Sequence, residues 1–209
     1  MASFNIGRTD RVFFVGSTGS GKTTLAKSLL WGLPYVVILD PKHTFSLPES
    51  WPHGWHYANA PRRHQDMRDA ATLVYRPTYD EILDGCEEFF QWIFARGNTI
   101  VYVDEAATIS KPRSIGRGYD RNIREGREKG IGIWSATQRP RFIPQVLMTE
   151  SESFFVFRLR SEEDRKIVAG FTISEVRDKV PTGNGFWYYN DKTQRAKYYA
   201  KANVGDVLK

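Results

Sequence analysis

A glycine-rich loop at residues 16–23 is the feature that most constrains what this chain can fold into. Its sequence, Gly-Ser-Thr-Gly-Ser-Gly-Lys-Thr, lies between the apolar run 12–15 and the helix-like segment 24–30. Glycines in this context let successive backbone N–H groups point at a phosphate, and the following helix adds the positive end of its dipole. The alternative is a turn with a chance Lys-Thr pair, which the flanking strand and helix disfavour. The loop therefore predicts an α/β domain that binds a nucleotide.

The positions of the loop have different expected contacts. Lys22 is predicted to reach the β- and γ-phosphates, and the Thr23 hydroxyl is predicted to hold Mg²⁺. ATP and Mg²⁺ are accordingly the expected ligands. The predicted nucleotide-binding residues are Gly16, Ser17, Thr18, Gly19, Ser20, Gly21, Lys22, Thr23 and Thr24.

Composition narrows the setting of this loop. A chain of 209 residues with 41% hydrophobic content is long enough to bury a core, and we expect one domain over residues 1–209. No segment is apolar over the length of a bilayer, and the N-terminus lacks signal-peptide features, so we expect a cytoplasmic protein. Cys86 falls in an amphipathic stretch, where a small buried hydrophobe is favoured over a reactive thiol. The net charge of +6 permits nucleic-acid binding without requiring it.

The order of apolar runs and amphipathic segments predicts a mainly parallel central sheet flanked by helices. The segment 41–64, rich in Pro, His and Trp, is predicted to be an insertion or long loop. Alternating aromatic runs on either side of Asn190-Asp191 predict a terminal β-hairpin within residues 183–200. The predicted strands are 11–15, 35–39, 72–75, 99–103, 131–136 and 153–159, and the predicted helices are 22–31, 78–96, 117–129 and 161–169.

Two carboxylates end the predicted strand 99–103. Asp104 and Glu105 would lie at the carboxyl edge of the sheet, beside the phosphate loop if the strands are neighbours. Asp104 is predicted to bind Mg²⁺ through its water shell, and Glu105 to polarise the water that attacks the γ-phosphate. Alone, such a pair is common as a solvated turn; the phosphate loop 82 residues earlier favours the catalytic interpretation.

A polar Thr137-Gln138 pair ends the predicted strand 131–136, and Pro140 prevents the strand from continuing. The Gln138 amide is able to accept from the attacking water and donate to the γ-phosphate, so it would report whether ATP or ADP is bound. The alternative is a polar strand end capped by a turn.

These motifs together resemble those of the FtsK/HerA-type DNA-pumping ATPases. The resemblance runs from residue 11 to about residue 190, and its most specific part is Gly-Arg-x-x-Gly-Ile before Ala-Thr-Gln-Arg-Pro. The segments that follow the family's order are Asp40-Pro41-Lys42, Asp104-Glu105, 126–132, 136–140, Phe157-Arg158-Leu159, Asp164-Arg165 and 183–186. The small motor core looks most like the genome-packaging ATPases of membrane-containing icosahedral viruses.

The resemblance implies a RecA-like ATPase that works as a homo-oligomeric ring, with a hexamer expected, and moves double-stranded DNA through a central channel. For a viral motor it further implies a site of action in the host cytoplasm or on the virion, with capsid-vertex or viral membrane proteins as partners. A host HerA-like translocase or helicase remains the alternative within motors. A nucleotide kinase and a nucleotide-switched assembly scaffold are the alternatives from other classes.

Arginines are the remaining candidates for catalysis. Arg127 lies 11 residues before Gln138, a position that in the resembling ring motors supplies an arginine finger to the neighbouring subunit. Arg158 is the second candidate for a finger, or for a sensor. Arg117, Arg121 and Arg124 share one helical face with acidic residues between them, and local ion pairs on a solvated helix explain that pattern.

The segment 108–118 is the predicted DNA contact. It is basic, contains Gly and Pro, has no acidic residue and directly follows the catalytic strand. Such a loop is able to move with the nucleotide state and push on backbone phosphates without reading sequence. Lys111, Arg113 and Arg117 are its predicted DNA-binding residues; an exposed linker with incidental charge is the alternative.

Overall fold

One nine-stranded sheet organises the residues that the structure, a computed structural model, describes: 4–52, 56–58 and 72–201. The strand order is β3-β4-β2-β5-β6-β1-β7-β8-β9, parallel from β3 to β7 and antiparallel for the last two strands. The strands are β1 Arg11–Val15, β2 Val36–Leu39, β3 His56–Ala58, β4 Thr72–Tyr75, β5 Ile100–Val103, β6 Gly132–Thr137, β7 Ser153–Phe157, β8 Phe186–Asn190 and β9 Arg195–Tyr199.

Helices cover both faces of this sheet. The described helices are α1 Lys22–Leu30, α2 Tyr79–Leu83, α3 Glu87–Arg96, α4 Arg117–Glu125, α5 Val146–Thr149, α6 Glu162–Ala169 and α7 Glu175–Asp178. Short 3-10 turns lie at Ala106–Thr108, Gly126–Lys129 and Pro140–Phe142. None of the described helices is both long and apolar enough to cross a membrane.

Each face of the sheet contributes to a separate core. Because side chains alternate along a strand, Phe13 and Val15 of β1 enter one core, and Val12 and Phe14 enter the other. The first core packs beneath α3, α4 and α6, and the second beneath α1. Strands covered on both faces read as continuous apolar runs, which is why β1 and β5 were recognisable from sequence.

The predicted α/β class, the mainly parallel sheet and the terminal hairpin are confirmed. The predicted helix 78–96 is wrong as a single element, because Gly85 and Cys86 have φ angles of +69° and +57° that interrupt the helix between α2 and α3. The turn buries Cys86, and burial raises the pKa of its thiol to about 12. The thiol is thus the buried hydrophobe that the pattern predicted.

The predicted insertion 41–64 lies partly outside the described residues. Its described part contains β3, an edge strand that the sequence pattern did not indicate, paired in parallel with β4. Trp51 is 4% exposed and donates from Nε1 to Thr72 Oγ1 at 3.0 Å, so this part of the segment packs onto the sheet. The extent of the domain over 1–209 stays a prediction.

Candidate nucleotide-binding and catalytic site

The strand order places the three motif-bearing strands side by side. β5, β6 and β1 are consecutive in the sheet and parallel, so their carboxyl ends meet at one edge. The phosphate loop follows β1, Asp104 and Glu105 follow β5, and Gln138 follows β6. Three motifs that are far apart in the sequence therefore converge on one site.

The phosphate loop is anchored at its start to the strands on either side. Gly16 N donates to Thr137 O at 3.2 Å, and Ser17 N donates to Arg158 O at 2.8 Å. Gly16 has no room for a side chain, since a Cβ there would lie 2.5 Å from Phe157 Cβ. Gly21, with φ +99°, turns the chain into α1. Sequence and packing thus determine the curl of the loop.

Donors of the loop remain open for an anion. Among the described residues, no protein acceptor binds the backbone amides of Thr18, Gly19 and residues 21–24. The Ser20 hydroxyl is buried and likewise has no partner there. Buried polar groups in native proteins are rarely left without a partner. Converging amides at a helix N-terminus fit the phosphates of a nucleotide.

Lys22 is folded back over the loop. Its Nζ donates to Gly16 O at 2.6 Å and to Ser17 O at 3.1 Å. Burial lowers the pKa of this lysine to about 8, against the opposing effect of the Glu105 and Asp104 carboxylates. Two neutral carbonyl oxygens therefore compensate the positive charge of the ammonium group poorly, and negatively charged phosphate oxygens would compensate it better.

Thr23 and Asp104 form the predicted metal pair. Thr23 Oγ1 donates to Asp104 Oδ1 at 3.3 Å, and the Tyr102 hydroxyl donates to the same oxygen at 3.0 Å. Burial raises the pKa of Asp104, and the negative charges of Asp40 and Glu105 add to the shift while these hydrogen bonds oppose it. Hard oxygen donors beside excess negative charge fit Mg²⁺.

Glu105 is held by three contacts. Its Oε1 accepts from Thr137 Oγ1 at 2.8 Å and from Gln138 N at 3.1 Å, while Oε2 lies 3.3 Å from Lys42 Nζ. The residue has φ +76°, an uncommon conformation for a side chain other than glycine, and is 8% exposed. The turn after β5 thus fixes a carboxylate between the end of β6 and the phosphate loop.

The Gln138 side chain reaches the phosphate loop directly. Its Oε1 accepts from Thr18 Oγ1 at 2.7 Å, while its backbone N donates to Glu105. One residue therefore contacts both the loop and the candidate base, as a γ-phosphate reporter requires.

These residues line one cleft of about 300 Å³. Four further residues line it that were not predicted as site residues: Lys42, Thr44, Ala136 and Asn184. Lys42 and Asn184 belong to segments that carried the family resemblance, which was the available signal. The complete lining is Thr18, Gly19, Ser20, Gly21, Lys22, Thr23, Thr24, Lys42, Thr44, Asp104, Glu105, Ala136, Gln138 and Asn184.

Arg127 does not join this cleft. It lies in the 3-10 turn before β6, and its guanidinium pairs with Glu152, whose other oxygen accepts from Arg11 N at the start of β1. This is the amino edge of the sheet, and a five-residue strand such as β1 separates the two edges by roughly 15 Å. Arg127 is therefore remote from the phosphate loop of its own chain.

Arg158 lies at the carboxyl edge instead. It follows β7, its carbonyl accepts from Ser17 N of the phosphate loop, and its side chain is exposed. The two arginine candidates are thus at opposite edges of one sheet.

The three predicted DNA-binding residues are exposed at the carboxyl edge. Lys111 and Ser114 close a tight turn through two backbone hydrogen bonds of 2.9 and 3.1 Å, with Arg113 inside the turn. Arg117 begins α4. Further along α4, Arg121 pairs with Glu125 and Arg124 with Asp120, both at 3.0 Å, as expected for local ion pairs on a solvated helix.

Comparisons with known proteins agree with the motifs. No family model matches the chain. Over 170 residues it is 26% identical to the DNA packaging ATPase P9 of Enterobacteria phage PRD1. The aligned region covers 77% of this chain and 69% of the phage protein. The chain is similar to a viral DNA packaging ATPase. The predicted resemblance is therefore confirmed.

Solved structures show the same fold. The genome packaging NTPase B204 of Sulfolobus turreted icosahedral virus 2, in complex with AMPPCP, superposes with a TM-score of 0.74 at 20% identity, covering 94% of this chain and 100% of B204. The pCW3 conjugation coupling protein TcpA, with ATPγS, gives a TM-score of 0.64 at 14% identity over 96% of this chain and 65% of that one. Both likenesses support the P-loop ATPase fold class read from the loop at residues 16–23.

Proposed function

We propose that this chain is an ATP-hydrolysing motor that packages a viral genome by moving double-stranded DNA. The observation that carries the proposal is the convergence of the phosphate loop, Glu105 and Gln138 in one cleft. The likeness to the phage packaging ATPase supports DNA as the transported polymer.

ATP hydrolysis follows from the positions of these side chains. The open amides of the loop bind the phosphates, and Lys22 exchanges its two carbonyl contacts for phosphate oxygens. Glu105 takes the proton of a water that attacks the γ-phosphate, and Gln138 orients that water. Mg²⁺, held by Thr23 and Asp104, would neutralise charge on the phosphates.

Arg127 is the proposed arginine finger, acting on a neighbouring chain. Because Arg127 is remote from its own phosphate loop, we propose that it leaves Glu152 and reaches the phosphates bound by a second copy of the chain. A head-to-tail arrangement that repeats this contact forms a ring if the rotation between copies closes, and we propose a closed hexamer. Arg158 at the carboxyl edge is the second candidate, as a finger or as a sensor in its own site.

The loop with Lys111, Arg113 and Arg117 is proposed to push on the DNA backbone. It begins directly after Asp104 and Glu105, so a change at the nucleotide is transmitted along a short piece of chain. We further propose that the motor works in the host cytoplasm or on the virion, against a capsid vertex.

ATP turnover measured with and without long duplex DNA tests this function. A packaging motor should hydrolyse ATP faster when duplex DNA is present, and Lys22→Ala should abolish both rates. Phosphate transfer to a small acceptor would instead identify a kinase. Nucleotide-dependent assembly without stimulation by DNA would identify a scaffold.

A further inference from the structure

Lys42 contacts the candidate base from a strand that carries none of the three catalytic motifs. It follows β2, where the fully buried Asp40 accepts from the backbone N of Thr44 at 3.1 Å and of Phe45 at 2.9 Å. These hydrogen bonds fold residues 40–45 into a tight turn. The turn presents Lys42 to the nucleotide cleft, which Lys22 also lines.

The Lys42 ammonium group occupies one particular side of Glu105. Oε1 of the glutamate is already taken by Thr137 and Gln138, and Lys42 Nζ lies 3.3 Å from the remaining oxygen, Oε2. A catalytic carboxylate needs an oxygen free to contact the attacking water. With Lys42 in this position, the Glu105 carboxylate is ion-paired and its remaining oxygen is engaged.

ATP brings a competitor for this lysine. Half-exposed ion pairs contribute little to stability, and the Lys42 side chain is 39% exposed. A γ-phosphate carries more charge than one carboxylate, and a lysine ammonium on its flexible stem has three donors to redirect. ADP carries no γ-phosphate and offers no such competitor.

We propose that Lys42 is a γ-phosphate-sensing lysine that leaves Glu105 for the γ-phosphate when ATP binds. The exchange frees Glu105 Oε2 for the attacking water only when there is a γ-phosphate to attack. In the empty and ADP-bound states, Lys42 keeps this oxygen of the base engaged. This inference rests on the ATP-hydrolysis part of the proposed function and is independent of DNA and of ring assembly.

The test compares the dissociation constants of ADP and of the ATP analogue AMPPCP by calorimetry, without DNA and without turnover. Lys42→Met should weaken AMPPCP about tenfold or more, the size of one charge-assisted contact, and should leave ADP within twofold. Lys42→Arg should keep the ratio near that of the unmodified chain. Lys42→Gln is measured in parallel, so that the result does not depend on the folding of one variant.

Lys192 provides a matched control. Its Nζ lies 2.6 Å from Asp10 Oδ1, it is 48% exposed, and its carboxylate partner is buried like Glu105, but the pair lies at the amino edge of the sheet. Lys192→Met should leave the ADP to AMPPCP ratio unchanged. Each of the two substitutions removes an ion pair with a buried carboxylate. A difference between the two variants in the ADP to AMPPCP ratio therefore reports contact with the γ-phosphate.

A Glu105→Gln background separates contact with the nucleotide from contact with the base. If Lys42 touches the γ-phosphate, Lys42→Met should still lower AMPPCP affinity selectively when Glu105 is absent. An unchanged ratio in the native background would overturn the proposal. So would an effect that disappears in Glu105→Gln, because Lys42 would then act only through the glutamate. Failure of duplex DNA to stimulate turnover would count against the motor function and would leave this binding result intact.

Discussion

Replacement of Glu105 by glutamine separates ATP binding from hydrolysis. Gln is isosteric with Glu, and its amide oxygen is able to accept from Thr137 Oγ1 and Gln138 N as Oε1 does now. The substituted side chain should therefore stay in place. Its NH₂ group would face Lys42 Nζ, where two donors meet, so the nucleotide-free site loses one ion pair of modest strength.

The size of the effect follows from the lost chemistry. An amide does not take a proton from water at neutral pH, and general bases contribute roughly 10²- to 10⁴-fold to rate. The barrier to hydrolysis should rise by about 3–5 kcal/mol. ATP affinity should not fall, because the phosphate loop, Lys22 and the metal pair are unchanged and one negative charge has been removed from the cleft.

Single-turnover hydrolysis and equilibrium binding of labelled ATP measure the two effects separately. Glu162→Gln is the control, since Glu162 pairs with Lys166 at 2.9 Å on the exposed face of α6 and should leave both quantities unchanged. Loss of ATP binding together with turnover would show that Glu105 holds the site together. Turnover within threefold of the unmodified chain would refute the role of Glu105 as the base.

Four further predictions test other parts of the site. Lys22→Ala should lower both nucleotide affinity and turnover sharply; turnover within threefold of the native rate would refute the assignment of the phosphate loop. Lys111→Glu with Arg113→Glu should weaken duplex binding for unrelated sequences alike and flatten its salt dependence, whereas Arg195→Glu with Lys197→Glu, equally exposed on β9, should not. Burial raises the pKa of the Cys86 thiol from 9.0 to about 12, so alkylation at pH 8 should be about a thousandfold slower in the native than in the unfolded chain. The contribution of this thiol to stability should be lost as the pH rises above 9. Equal alkylation rates in the native and unfolded chains would contradict its burial. Arg127→Ala chains mixed with Glu105→Gln chains should recover ATPase activity, because mixed assemblies contain interfaces with both residues intact; mixtures confirmed by mass that stay inactive would favour Arg158.

Local signals made much of this site predictable. The phosphate loop, Asp104-Glu105 and Gln138 each follow a buried apolar strand. A strand that is covered on both faces is apolar along its length, so it can be recognised in the sequence. The carboxyl ends of parallel strands share an edge, so the meeting of these motifs followed once their strands were taken as neighbours. The sheet order then confirmed that β5, β6 and β1 are adjacent.

Contacts between distant residues were not predictable in the same way. Lys42 and Glu105 are 63 residues apart, and their pairing depends on the place of β2 beside β5 and on the turn that Asp40 builds. The break at Cys86 is a second case. The helical pattern continues through that residue, and the burial of its side chain in the core accompanies a φ of +57° that local propensity disfavours.

The position of Arg127 connects the fold to the assembly. A finger at the carboxyl edge would be able to serve its own phosphate loop, and the chain would then be complete as a monomer. Arg127 lies instead at the amino edge, where the buried Glu152 fixes it against the start of β1. If this guanidinium completes a site, the site belongs to another copy, and the two surfaces in contact are different ones. Such heterologous contacts either close into a ring or extend into a filament. A closed ring bounds a channel, so the proposed DNA-threading motor favours the closed form.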